Sequence, residues 1–139
     1  MAKSRTFRCT VITPERKVLD CDARFVAFPA HDGEMGVLTG RAPLVCKLGI
    51  GVLRAETPQQ THRLAIDGGF AQVVRNELTV LTERAHRPEE INAAAAEQAL
   101  REAQAMKITD SESLRKRQNA IRRAEVQLRL VVGHSEPRP

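Results

Sequence analysis

The sequence predicts an α+β protein: an N-terminal β-sandwich of about ten short strands, residues 1–86, followed by a C-terminal antiparallel two-helix hairpin, residues 87–139. Two observations carry this prediction. Before Arg84, short apolar runs alternate with polar residues and are cut at close intervals by glycine or proline, which is typical of strands that reverse often. After Arg84, the apolar spacing becomes helical, and residues 91–107 contain no proline or glycine.

The first three predicted strands lie near the N-terminus. Residues 6–13 alternate apolar and polar side chains with period two, and a proline follows them. Residues 17–19 are predicted to form a short return strand, and residues 20–22 a turn. Residues 23–28 are rich in aromatic and β-branched side chains, so we expect a third strand that Pro29 stops.

Four further strands are predicted downstream, where Gly68 and Gly69 form one of the breaks between them: residues 52–56, 62–66, 70–75 and 77–82. Many short strands at close spacing favour a sandwich or a barrel. Their alternate apolar positions are expected to face the core: Leu64, Ile66, Leu78 and Val80.

The C-terminal part is predicted to be a helical hairpin. Pro88 suits a first helical turn, and the first helix is expected to cover residues 91–107. Its four consecutive alanines, residues 93–96, let another backbone approach closely. A short turn follows, with Asp110 or Ser111 as the candidate N-cap of the second helix. Apolar residues of that helix, spaced by seven or offset by three, form one seam: Leu114, Ile121, Ala124, Leu128 and Val131.

The composition narrows the classes of partner. The chain has a formal charge of +5 and a pI near 9.6, which favours an acidic partner such as a nucleic acid, a lipid surface or an acidic protein face. It contains no tryptophan or tyrosine and four phenylalanines, so few side chains can stack on single-stranded nucleic acid. Because the second helix is rich in arginine and lysine, a small basic nucleic-acid-binding protein is the alternative prediction.

The cysteines predict neither a metal site nor a disulfide framework. Cys9, Cys21 and Cys46 are widely spaced, with no Cys-x-x-Cys pair and no clustered histidines. This pattern favours a reducing compartment. The N-terminus lacks the apolar stretch of a signal peptide, and no apolar run approaches the roughly 20 residues of a membrane span, so we expect a soluble protein.

Catalysis has few candidate residues. His31, Asp32, His62 and Asp67 alone could seed acid–base or nucleophilic chemistry, since the cysteines lie in apolar strand patterns. No serine or cysteine stands in a nucleophile-elbow motif, and no phosphate-binding loop sequence is present. We therefore expect these four residues to be scattered, and the chain to be no enzyme by itself and to hold no cofactor.

The glycines and prolines from residue 25 onward stand in an order that resembles a known family. The motifs are Pro29-Ala30-x-x-Gly33-x-x-Gly36-Val37-Leu38, Ala42-Pro43-Leu44, Leu48-Gly49-x-Gly51, Gly68-Gly69-Phe70 and Leu78-Thr79-Val80-Leu81. In order and spacing they resemble the N-terminal domain of the epsilon subunit of rotary (F-type) ATP synthases, and the hairpin extends the resemblance over nearly the whole chain. The chain departs from that family at Thr39, where proline is usual, and at Arg41, where histidine is usual.

This resemblance implies a noncatalytic central-stalk subunit of the proton-translocating ATP synthase, which joins the gamma subunit to the ring of membrane c subunits and turns with them. It implies that residues 1–86 bind gamma and the c ring, with no nucleic acid as a partner. It also implies a peripheral location on the cytoplasmic face of the bacterial plasma membrane, through the complex alone. In the family a sandwich loop touches the c ring, and the matching residues here are Glu34, Met35, Thr39 and Arg41.

The resemblance also implies a regulatory arm in residues 87–139. In the family the hairpin can extend into the catalytic head, where basic residues meet the beta and alpha subunits and inhibit ATP hydrolysis. The matching residues here are Arg122, Arg123 and Arg129. Some members clamp ATP with an Ile/Leu-Asp-x-x-Arg-Ala pattern, but Asn92 and Ala95 replace its aspartate and arginine, so ATP binding is expected to be weaker than millimolar or absent.

Overall fold

The structure, a computed structural model, describes residues 5–135. The chain divides into two compact units, residues 1–86 and 87–139. The described part of the first unit contains eight strands: β1 (Phe7–Ile12), β2 (Lys17–Ala23), β3 (Phe25–Ala30), β4 (Gly33–Leu38), β5 (Leu44–Glu56), β6 (Thr61–Val74), β7 (Glu77–Leu81) and β8 (Ala85–His86). The described part of the second contains a 3-10 turn (Pro88–Glu90) and two helices, α1 (Ala93–Gln104) and α2 (Ser111–Ser135).

The strands form one hydrogen-bonded sheet that folds over itself. Its order is β2-β1-β7-β6-β5-β3-β4, with β8 paired to β6. Strands β5 and β6 have 13 and 14 residues and pair with each other along their length. The second half of β6 pairs with β7 and its first half with β8, while the second half of β5 pairs with β3. One layer therefore holds β1, β2 and β7, the other holds β3, β4 and β8, and β5 and β6 belong to both.

The predicted sandwich is confirmed, but the predicted break at Gly68 and Gly69 is wrong. Gly68 and Gly69 have φ values of +69° and +108°, and the strand continues through them. Across this point the buried positions of β6 change from even-numbered residues such as Ile66 to odd-numbered residues such as Ala71. The glycines bend the strand from one layer to the other instead of ending it. The described residues contain eight strands where about ten were expected, and β5 and β6 are the long ones, with 13 and 14 residues.

Both layers contribute side chains to one core. Val11 and Val80 of one layer are fully buried in the same cluster as Phe28, Leu53 and Leu64. The four core positions predicted from the alternation are all buried: Leu64, Ile66, Leu78 and Val80. The alternation of apolar side chains was therefore a sound guide within each straight segment of strand.

Two local predictions are wrong. Residues 20–22, predicted as a turn, belong to β2, which pairs with β1 as far as Ala23. Pro29 does not stop the third strand, because β3 continues to Ala30. The ladder between β3 and β5 is irregular between Ala27 and Ala30, so no N–H is required from the proline between them.

The first helix begins later than predicted. Pro88 starts the separate 3-10 turn, and α1 starts at Ala93 with Asn92 as its N-cap. The Asn92 side chain accepts a hydrogen bond from the Ala95 backbone N–H at 3.1 Å. The helix ends at Gln104, three residues before the predicted end at residue 107.

The two helices pack together as a hairpin. Asp110 caps α2, because its carboxylate accepts a hydrogen bond from the Ser113 backbone N–H at 2.8 Å, and this bond lowers the pKa of Asp110. The small residues Ala103 and Ala124 are buried in the hairpin unit. Leu114, a predicted member of the seam, is 37% exposed.

Candidate functional site

The outer face of β5, β6 and β7 carries exposed apolar residues. Phe70 and Leu81 lie directly opposite each other on β6 and β7 and are 56% and 52% exposed. Val45 on β5 and Val74 on β6 are exposed on the same side, because residues paired across strands share a face. Contiguous exposed apolar surface marks interaction sites in soluble proteins. These four residues are called the apolar face below.

A charged cluster borders the apolar face on β1 and β2. The Arg8 Nε lies 2.6 Å from the Asp20 Oδ1, and the Lys17 Nζ lies 3.2 Å from the Asp20 Oδ2. Hydrogen bonding from Arg8 holds the pKa of Asp20 below its usual range. In the ladder between β1 and β7, Arg8 stands opposite Glu77. Glu77 in turn stands opposite Val74 of the apolar face in the ladder between β7 and β6. An apolar centre with a charged rim is the usual anatomy of a protein–protein interface.

The sequence assigned no role to the apolar face. If β6 were straight, its even-numbered side chains would all lie on one face, and Phe70 would be buried on the same side as Leu64 and Ile66. The bend at Gly68 and Gly69 reverses the buried side, so this phenylalanine lies outside instead. Residues 70–74 give no signal for this, because the exposed positions Phe70 and Val74 are as apolar as the buried positions Ala71 and Val73.

The first two residues matched to the c-ring loop lie at the start of β4. Glu34 is exposed and pairs with Pro29, while Met35 is half-buried and packs against the core. Leu38, at the other end of β4, lies on the same side as Glu34 and is 63% exposed. The turn before β4 is held by a hydrogen bond of 2.8 Å from the His31 backbone N–H to the Lys47 carbonyl.

Thr39 and Arg41 lie in the segment that follows β4. The Gly40 backbone N–H donates to the Asn76 side chain at 3.2 Å, and Asn76 donates to the Thr6 carbonyl at 3.1 Å. Arg41 is exposed, whereas the Thr39 hydroxyl is buried and has no hydrogen-bond partner among the described residues. The length of β4, roughly 3.3 Å per residue, therefore separates these two residues from the pair at its start.

The basic residues of α2 have different environments. Arg117 donates from its guanidinium to the Gln104 carbonyl at the end of α1, at 3.2 Å. Arg122 and Arg129, two of the residues matched to the inhibitory contact, are exposed and are seven positions apart, which places them on one side of the helix. Arg123, the third, is half-buried.

The candidate catalytic residues lie on two different elements. His31 and Asp32 are exposed in the turn between β3 and β4. His62 and Asp67 lie five positions apart along β6, which corresponds to roughly 16 Å of extended strand. In residues 5–135 no group of three or more histidine, cysteine or acidic side chains is arranged to hold a metal ion. No helix in this part of the chain has the length and apolar character needed to cross a membrane.

Comparison with known proteins assigns the family. A family model described as ATP synthase, Delta/Epsilon chain, beta-sandwich domain, matches residues 6–88. The ATP synthase epsilon chain of Rhodopirellula baltica is 45% identical over 124 residues, which cover 89% of this chain and 97% of that protein. This chain belongs to the ATP synthase epsilon family. The epsilon chain of Symbiobacterium thermophilum is 43% identical, with coverage of 86% and 88%.

Chains in solved ATP synthase structures have a similar fold. A chain in the cryo-EM structure of the Euglena gracilis mitochondrial ATP synthase, OSCP/F1/c-ring in rotational state 1, matches with a TM-score of 0.79 and 25% identity, over 95% of this chain and 84% of that chain. A chain of the Tetrahymena thermophila mitochondrial ATP synthase central stalk and c-ring has a TM-score of 0.65 at 13% identity, and so shares the fold. The resemblance seen in the glycine and proline pattern is therefore confirmed.

Proposed function

We propose that this epsilon-family chain is a noncatalytic rotor subunit of a proton-translocating ATP synthase, and that it couples the catalytic head to the membrane c ring. Residues 1–86 bind the gamma subunit and the c ring, and residues 87–139 regulate ATP hydrolysis. The chain lies at the cytoplasmic face of the bacterial plasma membrane, held there through the complex. Its similarity to a chain of a structure that contains F1 and a c ring supports this proposal.

The observation that carries the proposal is the apolar face. Among the described residues of the sandwich, five large apolar side chains are exposed: Leu38 on β4, and Phe70, Leu81, Val45 and Val74, which lie together on one side. Burying a large apolar side chain contributes roughly 1.5–3 kcal/mol, so a partner that covers this face gains substantial binding energy. The gamma subunit is the partner that we assign to it, with the charged cluster around Arg8 at the rim.

Co-purification of gamma with the full chain tests this assignment. Phe70→Glu should strongly reduce retention of gamma, because loss of a central aromatic contact costs about 2 kcal/mol or more, which is about 30-fold in Kd. Thr61→Glu is the matched control, since it adds the same charge to an exposed position at the other end of β6. Equal retention of gamma by the two variants would show that gamma does not dock on this face.

The contact with the c ring is assigned to Glu34, Met35, Thr39 and Arg41. The two charged residues of this set are exposed and of opposite sign, which suits the polar loops of a c ring. Met35 supports the strand from its core side, and the segment after β4 is anchored through Gly40.

The inhibitory contact is assigned to Arg122, Arg123 and Arg129, which meet acidic surface on the beta and alpha subunits when the hairpin extends. Part of the buried surface of this unit comes from small side chains, Ala96, Ala103 and Ala124, which bury little apolar area each and so favour such a switch, although Val126 and Leu130 of α2 are buried as well. Exposed guanidinium groups then supply a competing electrostatic interaction. ATP is not assigned to the hairpin, because Asn92 and Ala95 stand where the family's clamp has its aspartate and arginine.

A further inference from the structure

Cys9 and Cys21 stand directly opposite each other on the antiparallel strands β1 and β2. The register is regular from Phe7 to Val11, so the pair lies within an undistorted part of the ladder. Opposed residues share a face, and their Cα atoms are about 4.5 Å or 5.5 Å apart, depending on the type of pair. Both values fall within the roughly 4.4–6.8 Å that a disulfide spans. Joining the two sulfurs therefore requires no large movement of the backbone.

The two thiols differ in their access to solvent. Cys9 is fully buried on β1, which has strands on both sides, β2 and β7. Cys21 is half-buried on β2, the outermost strand at this end of the sheet. A small oxidant in solution therefore reaches Cys21 first.

The two sulfurs also interact with each other. A hydrogen bond from Cys9 lowers the pKa of Cys21, and the charge of Arg8 acts in the same direction, while burial and the charges of Asp22 and Asp20 oppose them. The same hydrogen bond, together with burial, raises the pKa of Cys9. Cys21, the more accessible cysteine, therefore also loses its thiol proton more readily than Cys9. The resulting thiolate is the reactive form of cysteine.

We propose that Cys9 and Cys21 are a site of reversible oxidative modification, at which hydrogen peroxide converts the two thiols into a disulfide within the chain. The Cys21 thiolate attacks one peroxide oxygen, the O–O bond breaks, and a sulfenic acid and the first water form. The Cys9 sulfur then attacks the Cys21 sulfur, the S–O bond breaks, and the second water leaves with the Cys9 proton. Both sulfurs are oxidised, and the peroxide is reduced to water.

Cys46 supplies an internal comparison. It lies on β5 opposite Ala71, so no cysteine faces it across the β5–β6 ladder. Burial raises the pKa of Cys46. It should therefore react more slowly than Cys21 and keep its thiol when the disulfide forms.

Treatment of the reduced full chain with hydrogen peroxide tests the proposal. Two of the three thiols should disappear without crosslinks between chains, and dithiothreitol should restore them. Trypsin cleaves the chain between the paired cysteines, so the disulfide would join fragments 9–16 and 18–24. Mass spectrometry of the nonreduced digest should find this linked pair, with the mass of the two fragments less two hydrogen atoms.

Variants separate the roles of the three cysteines. Cys46→Ser should still form the disulfide, whereas Cys9→Ala should stop at a sulfenic acid on Cys21 that dimedone labels. Far-UV circular dichroism of the reduced variants checks that each is folded. Oxidation of Cys46 before Cys21, absence of the linked fragments, or crosslinks between chains would overturn the proposal. These readouts involve no ATP synthase partner, so the modification and the proposed function are tested independently.

Discussion

Replacing Gly69 with alanine tests how β6 crosses from one layer of the sandwich to the other. Gly69 has a φ of +108°, and a Cβ atom there would overlap the carbonyl oxygen of Leu81 and lie 2.8 Å from the Cα of Thr82. Both of these atoms belong to the backbone, so no rotation of a side chain can relieve the overlap. Gly69→Ala must therefore push β6 away from β7 where Phe70 pairs with Leu81.

A substitution at the neighbouring Gly68 separates the conformational cost of a positive φ from the cost of the steric overlap. Gly68 also has a positive φ, +69°, but a Cβ added there would meet nothing within 4 Å. Gly68→Ala should lower the free energy of unfolding by about 1–2 kcal/mol, which is the cost of holding an alanine at a positive φ. Gly69→Ala should pay the same conformational cost and, in addition, an overpacking cost of about 1–3 kcal/mol. Its free energy of unfolding should therefore fall by about 2–5 kcal/mol in total.

Urea unfolding followed by far-UV circular dichroism measures both variants, since the chain has no tryptophan or tyrosine to report by fluorescence. With an m value of about 1–3 kcal/mol per molar urea, the overpacking term should lower the midpoint of Gly69→Ala by about 1 M relative to Gly68→Ala. Equal midpoints would refute the argument that the backbone of Leu81 excludes a side chain at this position.

Three further predictions concern the assembled enzyme and its ligands. Glu34→Lys should weaken the coupling of ATP hydrolysis to proton pumping in membranes, because it reverses an exposed charge that we assign to the c-ring contact. It should change the free energy of unfolding of the chain by less than about 0.5 kcal/mol. Deletion of residues 88–139 should preserve assembly and coupling but raise ATP hydrolysis severalfold, and the double reversal of Arg122 and Arg123 to glutamate should reproduce much of that increase. Calorimetric titration of the isolated chain with ATP should show binding weaker than millimolar, or none.

Each of these predictions has a result that contradicts it. Normal proton pumping with Glu34→Lys, in membranes that retain the subunit, would remove this residue from the c-ring contact. Unchanged hydrolysis in both hairpin variants, with the subunit still bound, would mean that the basic side of α2 is a passive solvated surface. Micromolar affinity for ATP would show that Asn92 and Ala95 do not disable the nucleotide clamp.

Local patterns in the sequence determined much of the architecture. The change from period two to helical spacing near Arg84 separated strands from helices, because each spacing puts apolar side chains on one side of only one kind of element. Asp110 was a candidate cap because a short side-chain acceptor before a helix can bond to its free N–H groups. The glycine and proline motifs also indicated the family, which the matches to epsilon chains confirm.

The tertiary structure decided the features that depend on which strands meet. Glycine permits both a turn and a bend, so Gly68 and Gly69 alone could not reveal that β6 continues and that Phe70 lies outside. Likewise, the spacing of Cys9 and Cys21 carried no sign of a pair, because their opposition depends on the register of β1 against β2. Register and sheet curvature are set by contacts between residues distant in the chain, and these contacts put the apolar face and the paired thiols where they are.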